Sequence, residues 1–394
     1  METTLVVNPG SSSRKYALYC DGRLALDIRF ENTNSGYQMS SQEAGAQQVA
    51  QSVSKDEFTS SGKKVAELVD KYLFRLSGGT LQVIAIRVVA PGSYFQKHTV
   101  VTDAYVLKLK KTEAIAPLHI PAILREITTM KAGFRQATLV AVSDSAFHRD
   151  MPAKARQYSI VTEDAQEHDI YRFGYHGLSV ASIVRRIHSV IGLDPERMIV
   201  CHIGSGVSVT AVKHGKSVDT SMGFSPTSGL PMGSRAGDLD ATALLELMRV
   251  KHWRPKDAEV YLNTRCGLAG IADESDIRQL FDRRSQNDAA ATSALDLFVY
   301  KLQKAIAAQT VALGGLDVIV FTATAATRSA ELRCLILKGL THLGVEVSAD
   351  RNELMVGRDG VISVKNSIMK VVVMRTDEMG EMAQIARQIK VKST

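Results

Sequence analysis

Apolar residues in this chain fall into short runs separated by stretches of helical period. Thr4–Val7, Leu81–Val89, Ala137–Val142, Met198–Ile203, Leu316–Thr322 and Lys370–Met374 are continuous apolar runs and read as strands. Tyr16–Cys20 and Arg23–Arg29 read as a meander joined to the first of them, and Asn32–Gln51, polar throughout, as an excursion. Val207–Val212 and Ser217–Thr220 read as a hairpin turning at Gly215-Lys216. In Lys64–Leu76, Val65, Leu68, Val69, Tyr72, Leu73 and Leu76 recur at helical spacing, with Gly78-Gly79 as the stop. Ile183, Val184, Ile187, Val190 and Ile191 mark another amphipathic helix. Further helices are expected at Ala241–Lys251, at Ala289–Leu313 before Gly314-Gly315, and at Met379–Lys390. Strands alternating with helices predict an α/β protein throughout.

Composition narrows the function classes. At 394 residues the chain has room for two or three domains, and 45% hydrophobic with 23% charged residues is ordinary for a globular protein. The net charge of +7 is spread without a dense basic block, which favours small anionic substrates over nucleic acid. Cys20, Cys201, Cys266 and Cys334 are far apart and form no C-x-x-C pair, which fits reduced thiols in a cytoplasm. No signal peptide and no membrane span is expected.

Candidate chemistry sits at strand ends and in one long loop. Thr4–Val7 runs into Asn8-Pro9-Gly10-Ser11-Ser12-Ser13, whose backbone N–H groups and hydroxyls suit a phosphate, although no Walker A motif is present. Met198–Ile203 runs into Gly204-Ser205-Gly206 in the same manner, which hints at a duplicated fold with a phosphate loop in each half. Arg87 interrupts an apolar strand, where a charge is costly unless paired, so it faces either open solvent or a ligand. Asp144 follows a strand, at the end where α/β sheets bind ligands; it reads equally as a helix cap. His176, between Tyr175 and Gly177, reads as structural or catalytic. Ser221–Asp240 carries four glycines and two prolines and is too irregular for a helix or strand. Its one cation, Arg235, has small neighbours that leave a guanidinium open to a planar anion.

Taken together, LVVNPGSSSRKYAL, AVSDSAFHRDMP, FGYHGLS, HIGSGVS, GKSVDTSMGF, GLPMGSRAGDLD and RTDEM resemble the acetate kinase family, in order and over nearly the whole chain. The resemblance implies two duplicated actin-like (ribonuclease H-like) α/β domains with the active site in the cleft between them. Residues 1–147 with 380–394 would form the acyl and phosphate lobe, and 148–379 the donor lobe. It implies Mg2+-dependent phosphoryl transfer between a short acyl phosphate and ADP/ATP, in a cytoplasmic homodimer. By resemblance, Arg87 and Arg235 hold the carboxylate and the moving phosphoryl group, Asp144 is the catalytic aspartate, and His119 and His176 contact phosphate. Asn8 and Glu378 fall on the magnesium site, and Val89, Leu118, Tyr175 and Pro226 on the acyl pocket. Asn8, Ser11, Ser12, Ser13 and Lys15 fall in the first phosphate loop, and His202, Gly204, Ser205 and Gly206 in the second. Asp276, Arg278, Ala323, Thr324 and Ala325 fall on the nucleotide side.

Five departures bear on the expectation. The strand motif around Arg87 lacks both its usual histidines, Ile120 replaces an asparagine after His119, and Ser205 replaces a longer asparagine. Ala323–Thr327, ATAAT, stands where the family has a Gly-rich loop against the nucleotide; added Cβ atoms are expected to narrow that site. Tyr175 stands where the family usually has Phe. Three readings remain: an ATP/ADP acetate kinase, the same acyl chemistry with pyrophosphate as donor, and a non-catalytic member that binds an anion or a partner.

Overall fold

The computed structural model describes residues 1–10, 13–33, 36–76, 79–116 and 119–393, with side chains to residue 389. It divides into two compact units: Met1–Ala146 with Asp377–Thr394, and Phe147–Thr376. In this division Asp377, and with it Glu378, belongs to the first unit.

The first unit is built on eight strands: β1 Thr3–Pro9, β2 Ser13–Cys20, β3 Arg23–Thr33, β4 Gly36–Glu43, β5 Val49–Val53, β6 Val83–Val88, β7 Thr99–Val100 and β8 Thr138–Ser143. Their order across the sheet is β5-β4-β3-β2-β1-β6-β8-β7. The meander β1 to β5 is antiparallel, whereas β1, β6 and β8 run parallel. The second unit has β9 Arg197–Ile203, β10 Val207–Lys213, β11 Lys216–Thr220, β12 Val318–Thr322, β13 Gly360–Val361 and β14 Lys370–Val373, in the order β11-β10-β9-β12-β14-β13. Here β9–β11 are antiparallel and β9, β12 and β14 parallel. The two sheets therefore share one plan, three antiparallel strands followed by two parallel ones. In that plan the turn β1–β2 corresponds to β9–β10, which is the duplication expected from the two glycine-hydroxyl junctions.

Burial explains which elements the hydrophobic pattern revealed. All seven residues of β1 and all five of β12 are buried, because helices cover both faces of central parallel strands. The helix Ser61–Arg75 turns Val65, Val69 and Leu73 into the core of the first unit. The helix Ala289–Leu313 begins where Asp288 accepts from the amides of Ala290 and Ala291, and ends at Gly314 in the left-handed region (φ 69°). The excursion expected over Asn32–Gln51 is instead two further strands, β4 and β5. Every β5 residue but Val53 is exposed and β4 turns in only Tyr37 and Met39, so the apolar signal is weak; pairing of β4 with β3 and of β5 with β4 defines them.

Candidate active site

In the first unit four chain segments converge at the carboxyl ends of the parallel strands. The β6–β8 register sets Val88 beside Ser143, so Asp144, one residue beyond β8, lies next to the end of β6. Its amide donates to the Val88 carbonyl at 2.9 Å, and its carboxylate is buried. Arg87 Nη2 donates to Asp144 Oδ2 at 3.0 Å, and Nη1 lies 3.6 Å from Glu378 Oε2 and 3.4 Å from Asn8 Oδ1. Asn8 comes from the end of β1. Glu378 opens the helix Glu378–Ser393, which packs on β1, β6 and β8. Asp144, read from the sequence as a ligand-side residue or a helix cap, is the ion-pair partner of the strand arginine Arg87. Burial opposes the charge on Arg87, but the carboxylates of Asp144 and Glu378 outweigh it and hold the guanidinium above its ordinary pKa. Arg87 Nε is buried and has no acceptor among the described residues.

Behind this cluster, His98 accepts the Ser143 amide on Nδ1 at 3.1 Å, and burial pushes its pKa down to about 4. The ring is therefore neutral and steadies the chain just before Asp144. Lys15 is exposed on β2, in register with Asn8, and Ser13 is half-buried beside it. His119 occupies the N-cap position of the helix Ile120–Gly133 without a side-chain cap bond. Val89, half-buried, follows β6. Ser11, Ser12 and Leu118 lie outside the described residues.

In the second unit the rings of His176 and His202 stack at 3.9 Å between centroids, tilted by 20°. His176 Nδ1 pairs with Ser208 Oγ at 3.0 Å and His202 Nδ1 with Ser179 Oγ at 2.8 Å, so each ring is oriented by a buried serine. Each serine closes a sequence motif, FGYHGLS or HIGSGVS, but is not singled out there as a functional residue. His176 adopts φ 60° to start the helix Gly177–Ile191. Gly206 is required beside it: a Cβ there would lie 2.8 Å from His176 Nε2 and 3.6 Å from Arg235 Nη1. Gly204 bonds across the turn to the Gly206 carbonyl, and Ser205 at the tip is exposed. Arg235 is half-buried; its Nη1 donates to the Pro226 carbonyl at 3.2 Å and contacts Met232 Sδ. No carboxylate pairs with Arg235 among the described residues, and burial alone lowers its pKa. The sequence did not single out Arg172, yet its Nη1 donates to the carbonyls of Thr220, Ser221 and Met222 at 3.0–3.3 Å, anchoring the start of the long loop.

The nucleotide-side residues are arranged differently from a simple alanine-blocked loop. Ala323 takes φ 69°, ψ 175°, a backbone region that is essentially glycine's own, and Thr324–Arg328 is a short helix. The chain path natural to glycine is thus retained with a methyl added, and Ala323 is buried while Thr324 is exposed and Ala325 half-buried. Asp276 caps the helix Ile277–Ser285 and forms a two-point ion pair with the exposed Arg278, so these two residues satisfy each other.

The model of the Acetokinase family matches residues 3–384. The acetate kinase of Streptomyces avermitilis is 35% identical over 387 residues, covering 96% of this chain and 95% of its own. That of Flavobacterium johnsoniae is 33% identical over 403 residues, covering 98% of each. Among solved structures, a propionate kinase from Francisella tularensis superposes with a TM-score of 0.88 at 29% identity, covering 99% of this chain and all of its own. Porphyromonas gingivalis acetate kinase gives 0.86 at 28%, with the same coverage. Fold and matches together define a phosphotransferase whose acceptor is a carboxyl group, built on two duplicated actin-like α/β domains. The chain belongs to the acetokinase family. No helix among the described residues is long and apolar enough to cross a membrane.

Proposed function

We propose that this protein transfers a phosphoryl group reversibly between acetyl phosphate, or a similar short acyl phosphate, and ADP, with Mg2+. The observation that carries the reading is the contrast between the two arginines. Arg87 is clamped by two carboxylates at the ends of parallel strands, while Arg235 is half-buried without one and so has its charge available to an anionic ligand. A short carboxylic acid, with a pKa of roughly 4–5 like a Glu side chain, is ionised at neutral pH, so it needs no general base. It needs cancellation of charge as it approaches an anionic phosphorus, and in-line placement. Arg235 supplies the first and Arg87 with Asp144 the second; the His176–His202 pair and Gly204–Gly206 line the phosphate.

One guanidinium against two carboxylates leaves the Arg87 cluster net negative, which would repel both substrates. Among the described residues no group of three His, Cys, Asp or Glu side chains could hold a metal alone. Mg2+ is commonly held by one or two carboxylates with substrate phosphates and water, and Asn8 and Glu378 supply oxygen donors of that kind. When bound, the ion would reverse the sign of the cluster and neutralise phosphate charge.

ATP/ADP is the proposed donor because Ala323 keeps a glycine-type backbone, so the loop keeps the chain path natural to glycine, with one methyl added. A homodimer in the cytoplasm is proposed with it. The helix Ala241–Lys251 has no buried residue and exposes Leu245 and Val250, as a helix that packs on a second copy would. The test is formation of acetyl hydroxamate from acetate and hydroxylamine with Mg2+, with ATP in one tube and pyrophosphate in another. Product with ATP is expected. Product with pyrophosphate alone transfers the reading to that donor, and no product with either defeats it.

A further inference from the structure

We infer that Tyr158 and Tyr175 are positioning residues that hold Arg235 for the anionic substrate by bonding the backbone N–H and C=O of Phe224, the two peptide units on either side of its Cα; this rests on the proposed role of Arg235. The Phe224 N–H donates to Tyr158 Oη at 2.8 Å, and Tyr175 Oη donates to the Phe224 carbonyl at 2.8 Å. Two residues on, the Pro226 carbonyl accepts from Arg235 Nη1 at 3.2 Å. Phe224–Pro226 is outside any helix or strand, so no ladder fixes it. Side-chain hydrogen bonds bear on it instead, and two phenols bracket the backbone of one residue, bonding the peptide units on either side of the Phe224 Cα.

Space is reserved for the clamp. A Cβ on Gly223 would fall 2.3 Å from Tyr158 Oη and 2.5 Å from Ser228 Oγ, which itself accepts the Gly223 amide at 2.7 Å. Glycine at 223 is therefore what lets the phenol reach the next peptide. The segment Arg172–Tyr175 completes the frame, because the Phe173 and Gly174 amides both donate to the Gly223 carbonyl at 3.1 and 3.3 Å. Tyr158 lies outside every motif that carries the family resemblance. The hydroxyl of Tyr175, where the family usually has Phe, is spent on the Phe224 carbonyl. A guanidinium that lacks a carboxylate partner depends on neutral acceptors for its orientation, and the Pro226 carbonyl is the firmer of the two it has.

The test uses the full-length protein and Tyr158→Phe, with Tyr175→Phe and Gly223→Ala as separate perturbations of the same clamp. Each phenylalanine keeps the ring and removes only the hydroxyl. The first readout is the rate at which phenylglyoxal modifies Arg235, followed by peptide mass spectrometry. Loss of one hydrogen bond of about 1 kcal/mol is expected to raise that rate about fivefold. The second is kinetic: kcat falls about 10- to 100-fold, as for a displaced catalytic group, while KM for the nucleotide stays within about twofold. Unchanged Arg235 modification in both phenylalanine variants overturns the inference, even if thermal stability drops. A wild type that forms no acyl phosphate while Arg235 labelling still responds removes the proposed function and leaves the clamp standing. An active wild type whose labelling is indifferent to the hydroxyls removes the clamp alone.

Discussion

Replacing Arg87 by Met tests the cluster at the strand ends through stability as well as rate. The Asp144 side chain is 1% exposed and that of Arg87 17%. At 3.0 Å and an effective dielectric near 20, the Arg87–Asp144 attraction is about 5.5 kcal/mol before desolvation. Truncating the arginine leaves one carboxylate buried and a second, Glu378, beside it without compensation. Breaking such a pair from one side costs about 3–5 kcal/mol, and the partial exposure of Arg87 places this case near the lower end. Asp144→Asn costs less, because Arg87 keeps Glu378. The double variant Arg87→Met/Asp144→Asn should therefore be more stable than the two single losses summed, with a coupling of at least about 1.5 kcal/mol. For a unit of roughly 160 residues, about 3 kcal/mol is a fall of roughly 6–12 °C in Tm. Calorimetry resolves that shift, and the hydroxamate assay gives kcat in parallel, expected to fall on the order of 10²–10³-fold for the single arginine variant. An Arg87→Met protein within about 2 °C of wild type, or stability losses that add to within about 0.5 kcal/mol, would refute the argument that Arg87 compensates the buried Asp144 carboxylate.

Three other outcomes are expected. The His98 pKa lies near 4 in the folded protein against an ordinary 6.5, so the unfolded chain takes up the proton first. Stability is full above about pH 6.5 and falls progressively toward pH 4 by about 3 kcal/mol. His98→Gln should flatten that limb in urea titrations between pH 7.5 and 4.5, and an unchanged limb would contradict it. Ala323→Gly removes backbone strain of about 1–3 kcal/mol, offset by about 0.4–1 kcal/mol of unfolded-chain entropy and about 0.8 kcal/mol for the buried methyl. Its Tm should match or exceed wild type, where Ala→Gly within an ordinary helix costs about 1 kcal/mol; a drop beyond about 3 °C would show that no strain is stored there. Leu245→Glu, on the helix without buried residues, should shift the protein from dimer to monomer in light scattering with the fold intact; an undisturbed dimer would place the interface elsewhere.

Much of this architecture is legible in the chain because central parallel strands and amphipathic helices carry their burial in their own spacing. β1, β6 and β12 are apolar on both faces, and Ala289–Leu313 is bounded by Asp288 and Gly314. β4 and β5 escaped notice because β5 is almost wholly exposed and β4 turns only Tyr37 and Met39 inward; hydrogen bonds to a neighbour make them strands. Strand ends and the irregular Ser221–Asp240 loop mark where chemistry sits, so Arg87, Asp144, His176 and Arg235 stand out as eligible side chains, although Asp144 reads equally as a helix cap and His176 as structural. Which of them meet is another matter. Arg87 and Asp144 are 57 positions apart, and only the parallel register of β6 and β8 brings a guanidinium to a carboxylate. Glu378 reaches the same arginine through the docking of the last helix. Tyr158 and His98 orient their neighbours through single hydrogen bonds across the fold, a contact that leaves no period or motif behind, and the motifs that contain Ser179 and Ser208 do not say which histidine each serine meets. Local pattern settles which segments are helix or strand and which residues are chemically eligible. Register and packing decide partners, because a hydrogen bond depends on a few tenths of an ångström that sequence distance does not encode.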